Sequence, residues 1–524
     1  MASDRKLALR KALADPSWGG DPARQVSLDL VGGLRSGSRE QRDLARLLLL
    51  RLAAETPQEA ANAMSPFCLG NAPLARARAL RTLGYTLHLP AGPVVVALAD
   101  SDDYVRKTAA MCVAKMRAMR PGVVVSLGLL GRLRYLMDDP SPAVVSNTVA
   151  VLSELSPAEG LTPHGARKLL SVLDRCNEWG RVYVLDALGG YSPADEEEAR
   201  EIRRVVAPQL SHKNSAVVVS AAKVLLGPTR SDEDPELGGR IARALVAFLS
   251  SEPEVQFAVL QSIREFARER PGLFAREVGS FLVRRDDPAC VKLGKLDVLG
   301  RLAREGDSRL VLAELRTQIF DPDPEVARAS VEALGRCAAL DGGCAPECLR
   351  ILQDLARLGD EHVAQEAVVA LARVLLTRPG SHAAAAVVAA VCEDLPRLTR
   401  ADAKASYAWL VGEYAELVPD PGDWLDDFLE GFLLEDPPVQ LQLLTAAVKV
   451  RLKGLDASRH LAARAVDMCA SEVGNPDVRD RGVFYQRLLS AGAGLARQVV
   501  LRREPGADEA SKDSLVDVDY EALT

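Results

Sequence analysis

Aromatic rings are scarce in this sequence. Phe, Tyr and Trp make up 4 % of its 524 residues, and Ala, Leu and Val fill most apolar positions instead. Small side chains let helices approach closely, which suits thin stacked layers. Long apolar runs are missing too. Ala383 to Val391 gives nine residues, far short of the roughly 20 that cross a bilayer as a helix. A protein of this kind reaches a membrane by recruitment. No excess of positive charge is present: 65 Lys and Arg face 72 Asp and Glu, for a net charge of −7. That gives no global field for nucleic acid, whose binding rests on phosphate neutralisation, and no nucleic-acid partner is expected.

Assembled chemistry is also lacking. The six His, at 88, 164, 212, 362, 382 and 460, sit in no HExxH motif and beside no nucleophile motif. No phosphate-cradling glycine loop follows a strand pattern, and no strand pattern is seen. The nine Cys include a cluster at 337, 344 and 348, but no CxxC or nearby His completes a zinc site. With no signal peptide expected, the thiols read as reduced and largely buried, in a cytoplasmic protein. The sequence therefore predicts no enzyme, cofactor or metal.

What is present is repetition. Asp102 and Asp103 stand where carboxylates cap a helix start, and Val105, Ala109, Cys112, Val113 and Met116 follow on one helical face. The pattern returns at Val144, Val217, Val255, Val291, Val326, Val363, Val439 and Val478, in steps of 39, 73, 38, 36, 35, 37, 76 and 39 residues. Two steps are doubled, so the period is about 37 residues, the mark of a HEAT or armadillo-type repeat. The predicted fold class is all-α, an α-solenoid of stacked helix pairs with these nine valines in the repeat core. One pair cannot bury its apolar face alone. The solenoid is expected over residues 1–503, with an acidic, disordered tail over 504–524. Trp179 and Trp409, on apolar stripes, are expected in the core. Arg106, Arg479 and Arg481 are expected to pair with Asp and Glu of neighbouring turns.

Five stretches are more specific than the period. They are Tyr104 to Lys115, Cys176-Asn177-Glu178-Trp179-Gly180, Leu210 to Val218, Val411-Gly412-Glu413-Tyr414-Ala415-Glu416, and Asn475 to Gly482. In this order they resemble the trunk of the β-adaptins, the large β subunits of clathrin adaptor complexes, over about residues 70 to 500. The wording is nearest the Golgi-type and plasma-membrane-type β chains. The resemblance implies a structural subunit paired with a second large chain, a medium chain and a small chain. It also implies recruitment by phosphoinositides and an Arf-family GTPase, and a place on Golgi, endosomal or plasma-membrane coated vesicles in intracellular protein transport. The family's hinge and appendage have no counterpart within these residues, and the N-terminal region is only loosely similar.

Two groups of residues are candidates for contacts. Arg5, Lys6, Arg10, Lys11, Arg76, Arg78 and Arg81 form basic groups that suit an anionic membrane; a charge run on a helix such as Arg76, Arg78 and Arg81 is more often a solvated face. Leu515, Val516, Val518 and Asp519 fit a clathrin-box pattern, an extended peptide that resembles those docking on clathrin heavy chain; a final cap of the solenoid is the other reading. The rival functions are a β-type coatomer subunit and a free-standing HEAT-repeat scaffold that binds clients along one face.

Overall fold

The fold is seen in a computed structural model. It describes residues 47, 65, 67–84, 91–157, 160–227, 235–304, 306–340, 343–358, 360–378, 383–393, 398–454 and 459–501. The N-terminal residues Arg5, Lys6, Arg10 and Lys11, the tail from 504 onward with Leu515, Val516, Val518 and Asp519, and much of the polar stretch after Gly227 lie outside the described residues.

Every regular element among the described residues is helical. The chain divides into two compact units, residues 1–237 and 238–524. In the first unit α1 (Pro73–Leu83), α2 (Ala91–Ala97), α3 (Asp103–Met119), α4 (Pro121–Ser126), α5 (Leu129–Leu136), α6 (Pro142–Leu155), α7 (Pro163–Val172), α8 (Glu178–Gly189), α9 (Glu196–Val206) and α10 (Ser215–Leu225) follow one another. Helices α1, α3, α6, α8 and α10 pack in sequence as one layer. The helices between them lie against that layer.

Helix α11 (Pro235–Val246) begins at the boundary. The second unit continues with α12 (Pro253–Glu269), α13 (Ala289–Leu302), α14 (Ser308–Gln318), α15 (Pro324–Ala339), α16 (Ala345–Leu358), α17 (Glu361–Thr377) and α18 (Ala383–Glu393). It ends with α19 (Ala401–Glu413), α20 (Pro421–Glu430), α21 (Pro437–Leu452), α22 (Arg459–Ser471), α23 (Pro476–Ala491) and α24 (Ala493–Val500). Its layer is α12, α13, α15, α17, α19, α21 and α23.

Local chemistry sets where these helices begin. Asp102 accepts hydrogen bonds from the N–H groups of Tyr104 and Val105, Asn177 from Gly180, Asn214 from Ala216 and Asn475 from Asp477 and Val478. Each satisfies a donor that the first helical turn leaves open. Proline opens α6, α15, α21 and α23, where its missing N–H costs nothing.

Each repeating valine stands three residues after the N-cap position of its helix, with a side-chain capping bond at Asp102, Asn214, Asp323 and Asn475. Val105, Val144, Val217, Val291, Val326, Val439 and Val478 are fully buried, Val363 nearly so, and Val255 is half-buried. The two doubled steps are not gaps. Gly180 and Ala403 hold the same position in α8 and α19, three residues after Asn177 and Arg400. At Gly180 an added Cβ would lie 2.9 Å from the Ser146 hydroxyl, so α8 sits too near α6 for a valine. The glycines of two further motifs mark similar approaches. A Cβ at Gly412 would lie 2.8 Å from Ala446 Cα, and one at Gly482 would lie 2.6 Å from Cys469 Cβ.

Candidate interaction surfaces

A second register, four residues after the cap, carries the ties between repeats. The Arg76 guanidinium grips Asp100 through two bonds of 2.8 and 2.7 Å and donates to the carbonyls of Gly70 and Asn71. Arg106 repeats this one step on, with bonds of 2.7 and 3.0 Å to Asp139 and further bonds to the carbonyls of Asp100 and Ser101. Arg181 reaches Gln209 and the carbonyls of Cys176 and Asp174. Lys292 reaches Asp321 at 2.6 Å and Lys404 reaches Glu435 at 2.5 Å. The receiving carboxylates also order the next turn: Asp100 accepts from Asp102 N–H, Asp139 from Ser141 N–H and Asp321 from Asp323 N–H. Burial alone would raise the carboxyl of Asp100, but the bonds from Arg76 and from Asp102 N–H, with the charges of Arg76 and Arg106, hold it below the usual range. At Asp321 the same opposition is settled by Lys292 and Asp323 N–H, again downward.

This register accounts for Arg106, which pairs with an acid as expected. It corrects the other two arginines. Arg479 donates to the Val473 carbonyl, and Arg481 lies over the Tyr485 ring at 6.0 Å.

The basic group near α1 is divided by its contacts. Arg76 is committed to Asp100, with 13 % of its side chain exposed. Arg78 and Arg81 are exposed. Arg81 donates to the Tyr104 hydroxyl at 2.6 Å and lies over its ring at 5.6 Å, with Lys107 over the same ring at 5.4 Å. Two cations thus lie against one aromatic ring, a cation–π arrangement.

Trp179 overturns its expected place in the core. Its side chain is 73 % exposed. The reason is register: it stands two residues past its cap, the position held by Glu254, Glu325 and Asp477, all exposed. Its flanking counterparts Ala143 and Ala216, on α6 and α10, are too small to cover it. Trp409 is half-buried. Nothing in the apolar spacing separates a ring facing inward from one facing out.

All nine cysteines are free. Cys290 is exposed, Cys392 is half-buried and the others are buried. Burial pushes the thiols of Cys68 and Cys469 up to about 12, and those of Cys112 and Cys344 up to about 11. Among the described residues no group of His, Cys, Asp or Glu is placed to hold a metal ion, and no helix is long and apolar enough to cross a membrane.

Among the partly enclosed cavities beside the layers, two have largely apolar walls. One, of about 620 Å³, is bounded by α5, α6, α7 and α8, with His164 and Asp138 paired at 2.8 Å on its lining. The other, of about 580 Å³, opens beside Phe320 in the second unit. Among the described residues neither brings together a nucleophile, a base and an oxyanion donor, and both offer surfaces for binding.

Comparison with known proteins agrees with this architecture. A family profile described as the adaptin N terminal region matches residues 50–493. The AP-1 complex subunit beta-1 of Mus musculus is 38 % identical over 521 residues, covering 96 % of this chain and 55 % of the relative. The AP-2 complex subunit beta of Schizosaccharomyces pombe is 33 % identical over 523 residues, covering 96 % of this chain and 77 % of the relative. The chain thus spans about half the length of the AP-1 relative. Among solved structures, a homology model of the full-length AP-3 complex in an intermediate open conformation matches with a TM-score of 0.61 at 18 % identity, over 93 % of this chain and 90 % of the other. That match supports the helical-repeat fold.

Proposed function

The chain belongs to the β-adaptins, and on that premise we propose that it is the large β subunit of an AP-type adaptor complex, acting as a scaffold in vesicle-mediated protein transport. The observation that carries this reading is identity spread over nearly the whole chain, 38 % across 96 % of it, to a protein named as an AP-1 complex subunit. On this reading its partners are a second large chain, a medium chain and a small chain. Clathrin, an Arf-family GTPase and phosphoinositide membranes are further partners, and its place is on coated vesicles. The chain contributes rigid helical layers and exposed side chains, and no chemistry of its own.

Trp179 is the residue we assign to a subunit contact. Interface energy concentrates in buried Trp, Tyr and Arg anchors, and an exposed Trp between two alanine positions is such an anchor awaiting cover. Arg78 and Arg81, with the N-terminal Arg5, Lys6, Arg10 and Lys11, remain the cations proposed to face an anionic membrane. Arg76 contributes no net charge there, because Asp100 balances it. Leu515, Val516, Val518 and Asp519 remain the proposed clathrin contact. We also propose that the trunk fills residues 1–503 and the acidic tail 504–524.

The test is affinity capture of the tagged chain from its own cells. Recovery of a medium and a small adaptor chain in equal amounts supports the assignment. Recovery of coatomer chains, or of the chain with varied clients only, replaces it with one of the rival scaffolds.

A further inference from the structure

The cavity beside Phe320 has a chemistry that its repeat does not need. Its walls are Ile319, Pro322, Pro324, Ala327, Leu355 and Val363, and Phe320 at its edge is 82 % exposed. A ring this open contributes little to the core. Three carboxylates join the lining, those of Asp321, Asp354 and Asp360, with the His362 imidazole beside them; among the described residues no Lys or Arg does, so acidic groups outnumber basic ones. Asp321 is balanced by Lys292 at 2.6 Å. Asp354 shares a solvent-exposed pair with Arg350 at 3.2 Å, the kind that exchanges readily with water and other cations. Among the described residues Asp360 has no ion pair, and its side chain makes no capping bond although it precedes α17.

We propose that this cavity receives an arginine side chain from a basic segment of a partner protein. The aliphatic stem would lie along Leu355 and Val363, the apolar part of the lining. The planar guanidinium would meet the face of Phe320 and the carboxylates of Asp354 and Asp360 together. Arginine suits this pair of surfaces better than lysine, because its fork bonds carboxylates while its plane stacks on a ring. The volume of about 580 Å³ holds one such side chain and its adjoining backbone, within the usual range for small-ligand sites. The carboxylates set the sign of the partner, and the ring and apolar walls select a cation with a long stem over a small ion. This inference does not depend on the partner being an adaptor subunit.

The experiment uses the full chain carrying 4-fluorophenylalanine at position 320. Its fluorine resonance is followed while N-acetyl-arginine methylamide is added, with N-acetyl-citrulline methylamide as the uncharged counterpart of the same shape. The arginine probe is expected to shift the resonance saturably, with a Kd on the order of 1 mM for a ligand of this size. The citrulline probe and the Asp354→Asn/Asp360→Asn chain are expected to bind at least about fivefold more weakly. Asn at 360 leaves the helix start intact, since no side-chain cap is lost there. Equal binding of the two probes would reduce the cavity to an apolar pocket and overturn the proposal. Absence of a saturable shift, with circular dichroism unchanged, would overturn it as well.

Discussion

The Lys295 ammonium lies 2.5 Å from the Asp287 carboxylate, with the two side chains only 1 % and 5 % exposed. Asp287 also accepts the N–H of Arg284, and Lys295 also donates to the carbonyl of Leu282. The pair therefore fastens the turn before α13. In this repeat the second layer is made of the short turns Pro271–Phe274 and Val278–Phe281, so the ion pair stands where helix packing holds other repeats.

Asp287→Ala leaves an uncompensated buried ammonium and is expected to destabilise the second unit by about 3–5 kcal/mol. Lys295→Met combined with Asp287→Leu, which removes both charges, is expected to cost less than Asp287→Ala alone. Urea denaturation followed by circular dichroism measures both, and a larger loss in the double variant would contradict this account.

Glycine substitutions separate packing from propensity. Gly131 in α5 is exposed, and an added Cβ there meets nothing within 4 Å. Gly131→Ala should therefore stabilise by up to about 1 kcal/mol, the helix preference of Ala over Gly. At Gly412 the same methyl would press on Ala446 Cα at 2.8 Å, and overpacking of this kind costs about 1–3 kcal/mol. Gly412→Ala should lower the melting temperature while Gly131→Ala raises it.

Trp179→Ala should leave the melting temperature of the isolated chain nearly unchanged, because the ring is largely solvated already. On the proposed function it should reduce recovery of other adaptor subunits in affinity capture. A marked loss of stability without loss of partners would return Trp179 to a structural role.

Acid should loosen the ties between repeats. The carboxyls of Asp100 and Asp321 are held below their ordinary value of 3.8 by the cations that grip them. Asp297, against its burial, is held below it by Arg336, Arg301 and Arg264. A carboxyl that protonates less readily when folded stabilises the fold above its ordinary pKa, and that stability is lost as pH falls through the lowered value. Stability should thus decline below about pH 4. In Asp100→Asn and Asp321→Asn chains the decline should be shallower, from a lower starting stability, in melts taken across this range.

Thiol chemistry should single out Cys290. In the native chain Cys290 should react rapidly with an aromatic disulfide reagent at pH 8, half-buried Cys392 more slowly, and the seven buried thiols only on unfolding, because the reagent cannot reach them. Cys290→Ser should remove the fast phase; its persistence would mean that another cysteine is open.

The helical repeat was legible because its signal is local. A cap, a valine three residues on and apolar residues in the turns beyond all lie within one helix, as at Asp102, Val105, Ala109 and Cys112. Even the doubled steps obey that register once Gly180 and Ala403 are set in it. The side of a helix that meets solvent was less legible: Trp179 is apolar yet stands on the row of Glu254 and Glu325. The partner of Arg76 lies 24 residues away, a pairing that spacing alone does not select. The cavity beside Phe320 was invisible, since α15, α16, α17 and the turns before α15 and α17 each supply a part of it.

The ties four residues past the N-cap at Arg76, Arg106, Lys292 and Lys404 also bear on how the chain folds. They join residues 24, 33, 29 and 31 positions apart, at Arg76–Asp100, Arg106–Asp139, Lys292–Asp321 and Lys404–Glu435. None waits for a distant part of the chain. Contacts this near in sequence favour rapid folding, and an array of neighbour-only ties can nucleate at any repeat and grow outward. During synthesis each new helix pair can therefore fasten to the one before it as soon as it emerges, with its apolar face exposed for no longer than the next repeat takes to arrive.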